Sequence, residues 1–140
     1  MICPAGCVMG PISLLGNLLW LFLGPGLVCF FFWVIAGSIM ALTIVGMPFA
    51  IACFRIAGFA ALPFGRTLVD AEEVGEQRIF GTTFFAILWM LLAGVWLALF
   101  HLIVGFVFFI TIIGIPFALA HFKLAMVSFN PLGKRIAYPG

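Results

Sequence analysis

The chain has 140 residues, of which 66% are apolar and 7% charged, with a formal net charge of +2 and a mean hydropathy of +1.40. A soluble domain of this size would leave much of that apolar surface in water and aggregate, so a soluble fold is excluded. The weak positive charge gives no reason to expect nucleic acid as a partner.

In chain order, Met1 to Gly10 carries no base and no small-residue cleavage site after a charged start, so no cleaved leader is expected. Ile12 to Phe54 contains no Asp, Glu, Lys or Arg. A single span needs about 20 apolar residues, and this run is roughly twice that, so it is expected to hold two helices. A polar connector follows, "RTLVDAEEVGEQRI", holding all the acids: Asp70, Glu72, Glu73 and Glu76. It reads as a solvated linker, with a surface helix as one form. Ile79 to Phe122 is a second uncharged run of double-span length. Lys134 and Arg135 come after it.

The two runs end in related sequences. Thr43–Arg66 aligned without gaps on Thr111–Lys134 keeps Thr, Ile, Gly, Pro, Phe, three Ala, a second Phe, Pro and Gly in place, and Arg/Lys pairs fall at 55/123 and 66/134. Shared greasiness could supply the Phe and Ala matches, but it does not readily place Gly-x-Pro and Pro-x-Gly at the same offsets twice. The reading is an all-α integral membrane protein of four transmembrane helices, a tandem duplication of a two-helix unit. The divisions are 12–66, an acidic cytoplasmic linker 67–79, and 80–135. An even number of spans per unit gives both units the same orientation.

The turn inside each unit has two readings. A turn at Gly46–Pro48 would leave a first helix of about 50 Å and a second of about 20 Å. A turn near Gly37–Ser38, and near Gly105 in the second copy, divides the run evenly. The even division is favoured, so "TIVGMP" and "TIIGIP" fall within the second helix and kink or break it. Arg66, Arg78, Lys134 and Arg135 all lie at one end of the units, so the connector and both termini are expected in the cytoplasm.

The duplicated G-[MI]-P-F-A-x-A-x-F-[RK]-x-A, followed by P-[FL]-G-[RK], resembles the YccF family of bacterial inner-membrane proteins. The resemblance covers residues 12 to 135 and implies two copies of a two-helix unit in the bacterial inner membrane. It implies no reaction and no substrate. Leu62 and Asn130 stand where relatives often have Trp.

The residues most able to carry chemistry are Arg55 and Lys123, since an ionised side chain within a span is costly. On a helix, Arg55 would share a face with Pro48, Ala52, Phe59 and Leu62, and Lys123 with Pro116, Ala120, Val127 and Asn130. One reading is snorkelling toward the cytoplasmic end. The other is a basic ring that attracts anions or lipid headgroups in a homo-oligomer. Paired interruptions in corresponding halves point to a permeation or binding site. That adds Thr43, Gly46, Pro48, Thr111, Gly114 and Pro116 as candidates, beside the bland reading of structural kinks. Thr hydroxyls three residues before each Gly can satisfy backbone groups freed there. His121 is an intramembrane proton-relay candidate, and His101 a lone histidine like it. Ala50 and Ala57, with Ala118 and Ala125, form a small-residue stripe for helix packing. Asn17, Trp20 and Trp33 suit interhelical bonding and interfacial anchoring.

Catalysis is not expected: no paired carboxylates lie in a span, and Ser13, Ser38 and Ser128 lack Asp–His partners. Cysteines 3, 7, 29 and 53 have no zinc spacing, and neither metal nor cofactor is expected. Cys29 and Cys53 read as small apolar residues, and Cys3 and Cys7 as reduced thiols, with palmitoylation a weaker alternative. The expected partners are the lipid bilayer and further copies of the chain. Two functions fit: an oligomeric channel or transport component for ions or small solutes, and a non-conducting accessory domain that binds another membrane protein.

Overall fold

The computed structural model describes residues 2–3, 10–74 and 82–139. Cys7, Glu76 and Arg78 lie outside the described residues. The chain forms two compact units, Met1–Gln77 with Gly133–Gly140, and Arg78–Leu132.

In the first unit, helix α1 (Pro11–Phe22) leads through Leu23–Pro25 into α2 (Gly26–Ala41), and α3 (Met47–Ala61) runs back along α2. The turn between α2 and α3 covers Leu42–Gly46, so Gly-x-Pro sits at the mouth of α3. This corrects both the even division at Gly37–Ser38 and the kink within the second helix. Two physical facts explain the correction. Pro48 falls in the first turn of α3, where a missing N–H breaks no helical bond. The surplus length of the first arm is removed upstream, because "GPG" at Gly24–Gly26 bends α1 away from α2 by 73°. At 16 and 15 residues, α2 and α3 then match at about 24 and 22 Å.

In the second unit, α4 (Thr82–Trp89) passes through a widely wound turn, Met90–Gly94, into α5 (Val95–Ile110), and α6 (Ile115–Phe129) returns along it. A short tight turn, Ile112–Gly114, joins them. Gly105 therefore lies within α5, and Pro116 opens α6 as Pro48 opens α3. Phe84–Ile110 and Ile112–Phe129 are long and apolar enough to cross a bilayer, the bent pair α1–α2 would count as one broken span, and α3 is shorter.

Both turns are built alike. Thr43 Oγ1 donates to Met40 O at 3.1 Å and accepts from Gly46 N at 3.1 Å. Thr111 Oγ1 donates to Phe108 O at 2.8 Å, and Gly114 N donates to Thr111 O at 2.9 Å. A Cβ at Gly46 would overlap Met40 O and Thr43 Oγ1, and one at Gly114 would overlap Thr111 Oγ1. Gly46→Ala and Gly114→Ala are therefore expected to cost about 1–3 kcal/mol each through overpacking, read as a lower melting temperature in detergent. Unchanged melting would show that the turn yields easily.

Near the base of each hairpin, an indole closes the unit. Trp20 Nε1 donates to Ala60 O at 2.7 Å, and Trp89 Nε1 to Ser128 O at 2.8 Å. Both rings are buried, so they serve as internal bolts and not as interfacial anchors. Asn17 pairs with Phe64 twice, Nδ2 to the carbonyl and Oδ1 from the amide, both at 2.9 Å.

A three-stranded sheet stands outside the all-α expectation. After α3, Gly65 adopts φ 75°, and after α6, Gly133 adopts φ 73°, a conformation that favours glycine. Each sends the chain into a strand: β2 (Thr67–Asp70) and β3 (Lys134–Pro139). β3 is central, antiparallel to β2 from Thr67↔Ala137 to Asp70↔Lys134 and to β1 (Ile2–Cys3) on its other edge. The start of the connector is thus a strand followed by a single helical turn, Ala71–Val74, in place of a surface helix. Lys134 and Arg135 belong with the first unit through this pairing.

Candidate functional site

Arg55 occupies the ninth position of α3 and Lys123 the ninth of α6, both about 12 Å along the helix from its start. Both side chains are exposed. The buried side of α3 holds Ala52, Ile56 and Phe59, and that of α6 holds Ala120, Leu124 and Val127. The shared face expected for Arg55 with Ala52 and Phe59, and for Lys123 with Ala120 and Val127, is corrected. Ile51 and Phe54 of α3, and Leu119 and Met126 of α6, are exposed as well. Pro48 and Pro116 are also exposed. The reason is the close α2·α3 and α5·α6 packing, which pulls the alanines inward and turns the long bases out. Ala50, Ala57, Ala118 and Ala125 are buried.

His101 and His121, each expected to be a lone histidine, meet in the second unit. Their Nδ1 atoms are 3.1 Å apart, and the two residues are 1% and 0% exposed. The ring of Phe108 stacks on His121 at 5.8 Å between centroids. For the contact to be a hydrogen bond, one Nδ1 must carry the proton and the other must accept it, so the two rings hold opposite tautomers. The signal in the sequence was present but indirect. A hairpin turn centred near residue 111 places residues 101 and 121 opposite each other, whereas a turn at Gly105 would have separated them. The matching positions of the first repeat are Trp33 and Cys53, both buried.

The polar groups collect away from the hairpin turn. Lys134 Nζ pairs with Asp70 Oδ1 at 2.9 Å across β2 and β3. Arg66 lies with its guanidinium carbon 5.6 Å from the centre of the Tyr138 ring, and its Nη1 donates to Gly58 O at 3.3 Å. The turn itself holds no charge: Thr43 and Gly46, with Thr111 and Gly114, close the hairpins with their own hydrogen bonds, and Pro48 and Pro116 open the returning helices.

Apolar hairpins, outward-facing aliphatic and aromatic side chains, and charge gathered at the strand end define a small helical membrane protein. The family model for the inner membrane component domain, YccF, matches residues 15–66 and 84–134. Inner membrane protein YccF of Escherichia coli strain K12 is 30% identical over 109 residues, 74% of each chain. The protein of the same name from Shigella flexneri shows the same identity and coverage. No solved structure matches. This chain belongs to the YccF inner membrane component family, and it is an inner-membrane protein.

Proposed function

We propose that this protein is an oligomeric channel or transport component for ions or small solutes, with Arg55 and Lys123 as an anion-attracting basic lining. The observation that carries this reading is their exposure on otherwise apolar helix faces. A charge held in the bilayer centre costs about 2.5–3.5 kcal/mol on insertion scales. Snorkelling is one escape, but the Cα–Cβ bond of a helical residue leans toward the helix N-terminus. For α3 and α6 that is the direction of the uncharged turn. Covering these faces with another copy, around a hydrated path, removes the cost. His121, paired with His101 inside the second hairpin, is the proton-relay candidate of such a component. The connector and both termini face the cytoplasm, following the placement of Lys and Arg.

The accessory reading relied on the small-residue stripe to bind another membrane protein. That stripe is buried, which favours the transport reading. Chloride efflux from proteoliposomes tests it. Arg55→Gln with Lys123→Gln is expected to lower efflux on the order of tenfold, as loss of two charges from a selectivity ring would. Equal efflux from the variant would return both bases to snorkelling, and silent vesicles with one stoichiometric co-purifying membrane protein would support the accessory reading.

A further inference from the structure

We infer that the first hairpin, α2 and α3, is re-entrant: it enters from the side of the β2–β3 strands and turns back within the acyl chains. Length is the first argument. The arms measure about 24 and 22 Å against a hydrocarbon layer of about 30 Å. Departing at 73°, the 12-residue α1 adds only about 5 Å along the first arm, and the return arm α3 has no such extension.

The turn is the second argument. A hairpin that emerges into water normally carries polar residues at its tip. This tip presents Leu42 at 86%, Ile44 at 95% and Val45 at 61% exposure. Its one polar side chain, Thr43, spends its hydroxyl on Met40 O and Gly46 N. Ser38, further down the arm, likewise donates to Val34 O at 2.8 Å. Internal satisfaction of this kind is what a segment surrounded by lipid requires. The tip's partner is therefore the acyl core of the bilayer.

The third argument is polarity along the hairpin. From Gly26 to Ala61, Arg55 is the one charged residue, and it lies six residues, about 9 Å, from the end of α3 nearest the strands. Arg66, Asp70 and Lys134 lie beyond that end. Among the described residues of the first unit, the charges beyond Arg55 thus lie on the strand side of the hairpin, and none lies at its tip.

Spin labelling in proteoliposomes tests this independently of any conductance. Cysteine is introduced by Ile44→Cys or Val45→Cys in a Cys3→Ser, Cys7→Ser background, and the unlabelled-site background is subtracted. For residue 44 or 45, the ratio of oxygen to water-soluble nickel collisions is expected to be on the order of tenfold higher than for Glu72→Cys. A ratio equal to that at residue 72, or labelling of residue 44 by an impermeant maleimide from the periplasmic side, overturns the inference. Ile35→Cys, midway along α2, should be lipid-exposed whether or not the hairpin crosses. Nickel access at residue 35 would mean that the unit is not embedded, and the inference would fall with that premise.

Discussion

Trp20→Ala and Trp89→Ala should each be the most damaging single change in its unit. Both rings are buried, and the Trp20 ring packs edge-on against Phe64 at 6.2 Å. Loss of a buried Trp leaves a void and costs about 3–5 kcal/mol in soluble cores. Here the lower end applies, because lipid tails are as apolar as the core and only packing and hydrogen bonding favour the folded hairpin. The indole also supplies the donor for Ala60 O or Ser128 O, and an abandoned buried carbonyl adds about 1–3 kcal/mol. Melting in detergent should therefore fall sharply for the Ala variants. Trp→Phe, which keeps most of the ring, should recover the packing but not the hydrogen bond. Trp96→Phe serves as a control, since Trp96 is 69% exposed and a surface change stays within about 0.5 kcal/mol. If Trp20→Ala melts like Trp96→Phe, the indole is not what closes the base of the hairpin.

A thermodynamic cycle on His101 and His121 is expected to show strong coupling. With Nδ1 atoms 3.1 Å apart and no exposure to solvent, each ring depends on the other for one hydrogen bond. His101→Leu or His121→Leu alone strands a buried nitrogen, at about 1–3 kcal/mol. The double variant replaces both partners with apolar groups, so its loss should be smaller than the sum by about 0.5–3 kcal/mol. Strict additivity in urea or thermal unfolding would mean that the rings are neighbours without a shared proton, and would remove the pair from any role in transport.

The sequence carried a good deal of this structure for reasons that are local. Uncharged runs of double-span length require helices, since lipid offers backbone groups no outside partner. The repeat of Thr-Ile-x-Gly-x-Pro fixes two equivalent turns, because in both the Thr carbonyl accepts the Gly amide and the Thr hydroxyl donates to the carbonyl three residues before it. Pro-x-Gly before Arg66 and Lys134 fixes two equivalent helix exits, because only glycine takes the positive φ of Gly65 and Gly133 without strain.

What the sequence left open depended on contacts between distant residues. Whether Gly-x-Pro would kink a helix or begin one turned on the length of the first arm. That length was decided by the break at Gly24–Pro25 and by Asn17 and Trp20 binding back to Phe64 and Ala60. Strands β2 and β3 are too short to declare themselves, and exist because their backbones find each other 64 residues apart at Asp70 and Lys134. The outward turn of Arg55 and Lys123, and the meeting of His101 with His121, follow from where each hairpin bends. Helical periodicity places a residue on a face, but only the packed partner decides whether that face looks inward or toward lipid.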